Sequence, residues 1–370
     1  MLKAYKYQIY PTEEQKVHLQ KCFGSVRFIY NLALETKNNA YKSAGINLSY
    51  FDLARQMTEL KSEYKWLFDC PNMCLQSSMR NLDSAYMNFF KGRGKFPKYK
   101  SKKTKDSMQF PTGVKVNFEK QEITLPKIGA IRTLLHREFK GNIKTVTVSR
   151  TPTNKYFASV LVENELMTPQ KVEIKKSVGI DLGLKTFAFT SNNKEFENQK
   201  FLDRNLKRLR IEQRTMTRRF KKGAKEQSKN WHKQKLIVAK LHEKITNQRK
   251  DYLQKISTEL VNDNDLICME TLNIAGMMQN RKLSKAIGQQ GWYSFVEMIK
   301  YKCNHQGKHF QQVPIFYPSS KTCNCCGNVN KELKLAMRVW ECEKCHTLNE
   351  RDFNAALNIH DKGLEIIKAA

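Results

Sequence analysis

Ser177-Val178-Gly179-Ile180-Asp181-Leu182-Gly183-Leu184 is an apolar run of strand length that carries one acid, Asp181, bracketed by two glycines. Thr186-Phe187-Ala188-Phe189-Thr190 follows closely and reads as the second strand of a hairpin. Downstream, Asp265-Leu-Ile-Cys-Met-Glu-Thr-Leu-Asn273 is a second buried strand ending in one acid, Glu270. A helix is expected over about 290–307, a strand over His309–Tyr317 and a last helix from near Asp352. This alternation of strands and helices predicts an α/β core built around three isolated acids.

An ionised carboxylate inside an apolar strand is costly unless it is paired or metal-bound. Three that converge repel one another and raise their pKa values unless cations neutralise them. Asp181, Glu270 and Asp352 are therefore read together as a catalytic, metal-holding set. Their hard oxygens suit Mg²⁺ or Mn²⁺. Two such ions can activate a water and stabilise the leaving oxygen of a phosphodiester.

Between the last strand and the last helix stand two cysteine pairs, Cys323-x₂-Cys326 and Cys342-x₂-Cys345. Fifteen residues separate them, which is a four-cysteine zinc spacing, and the expected occupant is one structural Zn²⁺. Gly327 follows the first pair, where a tight turn favours glycine. Cys325 is a spare thiol that leaves the ligand choice at that knuckle open. An N-terminus without a signal-peptide pattern points to a reducing cytosol, where disulfides are disfavoured. Cys22, Cys70, Cys74, Cys268 and Cys303 show no pairing and are expected as core thiols.

The chain has 370 residues, enough for two or three domains, and a formal net charge of +31. Such an excess favours a polyanionic partner, and nucleic acid fits best. The apolar runs are too short to span a bilayer, so no membrane partner is expected. The charge is concentrated in two places. A loop, Lys91-Gly-Arg-Gly-Lys95 with Lys98, Lys100, Lys102 and Lys103, interleaves Phe96 and Tyr99. A second run over about 204–250, containing Arg218 and Arg219, has apolar residues at helical spacing and a break near Gly223. Both are expected to contact phosphates.

Upstream, residues 2–9 alternate as a strand, and Thr12-Glu-Glu-Gln15 opens a helix with capping chemistry. Residues 12–109 read mostly as helices, including Leu75–Phe90, and about 110–170 return to strand patterns. A β module with a helical insertion accounts for this order.

Gly179-Ile-Asp-Leu-Gly183, Met269-Glu-Thr-Leu-Asn273, Thr322-Cys-x-x-Cys-Gly327 and Arg351-Asp-x-Asn-Ala-Ala356 resemble the signature blocks of the TnpB family. These are insertion-sequence-encoded, RNA-guided DNA endonucleases related to type V CRISPR effectors. Gly24-Ser-Val-Arg-Phe-Ile-Tyr-Asn31 and the Leu75 to Phe90 segment extend the resemblance over nearly the whole chain. It implies a multidomain α/β plus α+β protein. A β-barrel-like wedge domain (1–10 and 110–172) would carry a helical recognition insertion (11–109). An RNase H-like, RuvC-type mixed sheet (173–318 and 347–370) would carry a zinc-binding element (319–346). It also implies a guide RNA derived from the transposon end, a double-stranded DNA target, one protein per RNA, and the prokaryotic cytosol or nucleoid. Tyr50 and Gln76 fall where relatives contact the flanking motif.

Rival readings are a catalytically silent RNA-guided repressor and an accessory transposition protein. A tyrosine transposase is excluded by the lack of a His-hydrophobic-His pair. A cut-and-paste transposase usually places its glutamate last, whereas the order here is Asp, Glu, Asp.

Overall fold

The computed structural model describes residues 1–370 apart from 103–105, 165–168, 335 and 370. The chain divides into two compact units, Met1–Met167 and Thr168–Ala370.

In the first unit, β1 (Leu2–Tyr10) leads into α1 (Glu13–Ala44), α2 (Tyr50–Glu63) and α3 (Asn72–Phe90). Then come β2 (Asp106–Phe110), β3 (Lys115–Asn117), β4 (Glu122–Leu125), β5 (Gly129–Leu134), β6 (Asn142–Arg150) and β7 (Tyr156–Glu163). Thr12 and Gln15 form a reciprocal capping box at the start of α1, as the sequence predicts. Alternation along β1 buries Tyr5, Tyr7 and Ile9 against Val146, Val148, Val160 and Val162 and the helices' leucines. Among the described residues, the strand order β2-β6-β7-β1-β5-β4-β3 leaves two unpaired ends, so this antiparallel sheet does not close into a barrel. The helices leave from β1 and return through β2, and α1 and α3 pack on β2. A strand at 106–110 also shortens the expected helical stretch.

The second unit begins with β8 (Ser177–Leu182), β9 (Thr186–Thr190) and β10 (Glu195–Glu197). Two basic helices follow, α4 (Phe201–Arg219) and α5 (Lys229–Asp263), with Gly223 at φ +81° between them. The remainder is β11 (Leu266–Met269), α6 (Ile274–Met277), α7 (Ser284–Gln290), α8 (Trp292–His305), β12 (His309–Gln312), β13 (Val339–Glu341), β14 (Leu348–Glu350) and α9 (Arg351–Lys368). The sheet order is β10-β9-β8-β11-β12. β8 pairs antiparallel with β9 and parallel with β11, and β11 pairs parallel with β12. β12 is shorter than the sequence suggests, because Pro314 cannot donate a ladder bond. Val178, Ile180, Ile267 and Met269 bury one face of the sheet against α5 and α8. Leu266 and Cys268 bury the other against Ile359 of α9. Among the described residues, no helix is long and apolar enough to cross a membrane.

Candidate functional site

The parallel register of β8 and β11 pairs Gly179 with Cys268 and Ile180 with Met269. Carried one residue further, it brings Glu270 beside Asp181. Glu270 Oε1 accepts a hydrogen bond from the Leu182 backbone N–H at 3.2 Å.

The third acid arrives on α9. Residues 177, 179 and 181 share one face of β8, since side chains alternate along a strand. Two strand residues advance about 6.6 Å, and four helical residues about 6 Å. An α9 running antiparallel to β8 therefore stays in step with it. Ser177 Oγ meets His360 Nε2 at 2.8 Å. Gly179 lies so close to α9 that a Cβ there would sit 2.2 Å from the Ala356 carbonyl oxygen. The next rung places Asp352 toward Asp181, whose ionisation is opposed by both Glu270 and Asp352. Gly363 makes a second close approach, where a Cβ would meet Cys268 Sγ at 2.2 Å.

Burial pushes Asp181 well above the usual carboxylate range, and the charges of Glu270 and Asp352 push it further. Arg351 and Arg338 offset part of that rise. Burial lifts Glu270 to about 7 against the stabilising Leu182 N–H. Arg338, which the sequence reading did not single out, places Nη1 at 3.2 and 3.4 Å from the two oxygens of Asp352. A cleft of about 150 Å³, lined by Glu270, Gln312, Trp292 and Tyr293, leaves Glu270 reachable from outside. Asp181 senses the charges of Glu270 and Asp352, but the three carboxylates do not form a tight cage. Among the described residues, only the four cysteines bring donor atoms of three or more such residues within 4.8 Å of one another.

Those four are Cys323, Cys326, Cys342 and Cys345. Cys323 Sγ lies 3.6 Å from Cys345 Sγ, and Cys326 Sγ lies 3.6 Å from Cys342 Sγ. Thiolates around one tetrahedral ion with bonds of about 2.3 Å stand about 3.8 Å apart. Both knuckles use the same turn. Gly327 N–H donates to Cys323 O at 2.8 Å, and His346 N–H to Cys342 O at 2.9 Å. Both following residues have positive φ, +74° and +57°. Hydrogen bonds from Thr347 lower the Cys345 thiol to about 6, and backbone N–H groups of Cys345 and Lys344 lower Cys342. Cys325 is exposed and outside the cluster.

Knob and acids share α9. Asn354 and Asn358, both buried, donate to the Thr322 carbonyl at 2.7 and 2.6 Å. Asn324 N–H donates back to Asn354 Oδ1 at 2.9 Å. From the other side of the knob, Arg338 O accepts from Arg351 N–H at 2.7 Å. The four-cysteine knob thereby holds Arg338 over Asp352.

The expected nucleic-acid contacts are scattered. Tyr50 opens α2 with the Arg80 guanidinium 5.1 Å over its ring, and half-buried Gln76 lies one helical turn from Arg80. Lys98 and Lys102 are exposed, while Lys100 is half-buried with Nζ 3.8 Å from the Tyr30 ring centroid. Lys103 lies outside the described residues. Arg218 is exposed, and Arg219 is bonded to Gln234 Oε1 at 3.0 Å, tying α4 to α5.

Known proteins match nearly the whole chain. A family model described as "Probable transposase" (OrfB of IS605) matches residues 157–281. "Cas12f1-like, TNB domain" matches 292–359, and "Helix-turn-helix domain" matches 1–45, a segment that here forms β1 and the single long helix α1. A Streptomyces pristinaespiralis protein named "Putative RNA-guided DNA endonuclease" is 35% identical over 98% of this chain and 89% of its own. "Putative RNA-guided DNA endonuclease InsQ" of Escherichia coli K12 is 32% identical over 99% of this chain and 93% of its own. In fold, the chain is similar to the protein in a Cas12f1-sgRNA-target DNA complex, with TM-score 0.59 and 15% identity over 97% of this chain and 98% of that one.

Proposed function

The chain belongs to the TnpB family of RNA-guided DNA endonucleases of IS605-type elements, and from that membership we propose that Asp181, Glu270 and Asp352 form its phosphodiester-hydrolysing centre. The observation that carries this assignment is the convergence of three acids from β8, β11 and α9, two of them held well above their ordinary pKa. Burial and the charges of Glu270 and Asp352 disfavour an ionised Asp181, and divalent cations would relieve that cost.

These three carboxylates would hold Mg²⁺ or Mn²⁺, which supplies water activation and charge neutralisation at the leaving oxygen. The chain's own residues do the rest. Leu182 N–H orients Glu270. Arg338 neutralises Asp352 and presents a guanidinium at the rim, suited to a phosphate oxygen.

Cys323, Cys326, Cys342 and Cys345 fit a structural Zn²⁺ in spacing and in the clustering of their sulfurs, and the thiols of Cys342 and Cys345 are lowered. We assign 319–346 as the target-nucleic-acid-binding element inserted in a RuvC-type nuclease of residues 173–318 and 347–370. Residues 1–10 and 110–172 would be the wedge domain, and 11–109 the recognition helices carrying Tyr50 and Gln76. A transposon-end guide RNA would select double-stranded DNA by pairing. The basic loop (Lys98, Lys100, Lys102, Lys103) and the α4 surface (Arg218, Arg219) would hold phosphates. Action as one protein per RNA in the prokaryotic cytosol or nucleoid follows from the same reading.

The test is cleavage of a plasmid library with randomised flanks by the purified protein–RNA complex, with and without Mg²⁺. Mg²⁺-dependent cutting beside one flanking motif is expected. RNA-dependent binding without cutting would sink the nuclease assignment and favour the silent repressor.

A further inference from the structure

The end of α3 and the loop after it carry a feature that phosphate contact does not explain. Tyr86, Phe89, Phe90 and Phe96 form one cluster of rings, with centroids 5.3 to 6.3 Å apart. Phe90 leans on Tyr86 at an interplanar angle of 22°, yet it remains 73% exposed. Phe96 and Tyr99 are also exposed, at 46% and 57%. Residues 84–105 contain eight Lys and Arg and not one acid. Among the described residues, Lys91, Arg93, Lys95 and Lys98 make no ion pair. The loop is nonetheless held in place. Asn31 Nδ2 donates to Lys100 O at 2.9 Å and Asn31 Oδ1 accepts from Lys100 N–H at 2.7 Å, while Lys100 Nζ lies over Tyr30. Pro97 is buried.

A preformed ring cluster rimmed by unpaired cations suits a planar π ligand that carries phosphates. A second copy of this chain is a poor fit, because it would bring a further +31 chain against the same cations. Resting on the nucleic-acid reading above, we infer that Phe90, supported by Tyr86 and Phe89, is a stacking platform for an unpaired nucleobase whose flanking phosphates meet Lys91, Arg93, Lys95 and Lys98.

The test uses full-length Asp181→Ala protein freed of RNA, so that binding is read independently of any cutting. The probes are 12-nucleotide single strands containing 2-aminopurine, one of RNA and one of DNA. Kd is measured across a salt series, and the stronger arm identifies the strand type. Phe90→Ala should weaken binding about tenfold and abolish the stacking quench, with the log–log salt slope unchanged, since base stacking releases no counterions. Phe90→Trp should restore both. Lys95→Ala should reduce the slope by about 0.7 and keep the quench. Wild-type affinity and quench in Phe90→Ala would overturn the inference. So would a change in oligomeric state, or selective loss of binding to anionic phosphatidylserine vesicles in place of oligonucleotides. Failure of the plasmid assay alone leaves this result standing, because it reads affinity and fluorescence.

Discussion

The four-cysteine knob and the carboxylate centre both meet α9, but they are built in opposite ways. The knob closes on itself: its donors come from 23 consecutive residues, its two knuckles repeat one turn, and its sulfurs stand at metal-binding distance. The carboxylate centre draws on three elements spread from residue 181 to 352, and the charges of Glu270 and Asp352 oppose ionisation of Asp181. A closed ligand set suits a structural ion, and an open, strained one suits an ion that must meet substrate. The two are also linked, because the knob holds Arg338 on Asp352 through α9.

The sharpest way to break this contrast is at the open site. Asp181→Ala should lower the cleavage rate by about 10³-fold, about 4 kcal/mol of barrier, while RNA and target binding persist. Plasmid cleavage alongside filter binding reads both, and surviving cleavage would remove Asp181 from the centre. Next in size is Cys342→Ser. Bound zinc should fall from about one per chain to near zero, and cleavage should drop about 10–100-fold as Arg338 loses its support. Elemental analysis with unchanged zinc would refute the four-cysteine assignment. Full cleavage in a zinc-free variant would show that the two sites are independent.

Much of the contrast is legible from the chain alone, for physical reasons. Cys-x₂-Cys pairs announce themselves because their ligands are local in sequence. Asp181 and Glu270 stand out because a charge in an apolar strand is anomalous. The Thr12–Gln15 cap and the break at Gly223 follow from local rules. Arg338 does not stand out among 66 Lys and Arg residues. Asn354 and Asn358 read as ordinary polar helix positions until the knob's carbonyls are seen against them. The open edges of the β1–β7 sheet and the early end of β12 depend on which strand finds a partner. That is a tertiary outcome rather than a local one.

Gly179 brackets Asp181 in sequence, but its purpose is visible only against α9. Gly179→Ala would place a methyl 2.2 Å from the Ala356 carbonyl, in backbone that cannot swing aside. The expected loss is about 2 kcal/mol of stability from overpacking, with α9 pushed off β8. Chemical denaturation measures the first effect and cleavage at saturating Mg²⁺ the second. Wild-type values in both would mean that α9 has freedom to shift without disturbing Asp352.

The smallest effect tests the strain itself. Glu270 is raised from 4.5 to about 7, and Asp181 is raised well above 3.8. Between those limits the folded protein keeps protons that the unfolded chain has released, so stability falls as pH rises. The contribution is full below about pH 4 and is lost as pH climbs through about 7. Asp181→Asn removes one of these charges. In Mg²⁺-free buffer its Tm should match wild type near pH 4 and exceed it at pH 8 by about 2–4 °C, the shift expected for ~1 kcal/mol in a unit of this size. Mg²⁺ should then shrink the gap at pH 8, since a cation relieves the same repulsion only where Asp181 is present to bind it. Parallel pH curves for the two proteins would show that the acidic centre is not under strain, and the distinction between a closed and a strained site would fail. A magnesium salt is preferable to a chelator for setting the two conditions, because chelation would strip the knob as well and merge the two sites into one loss.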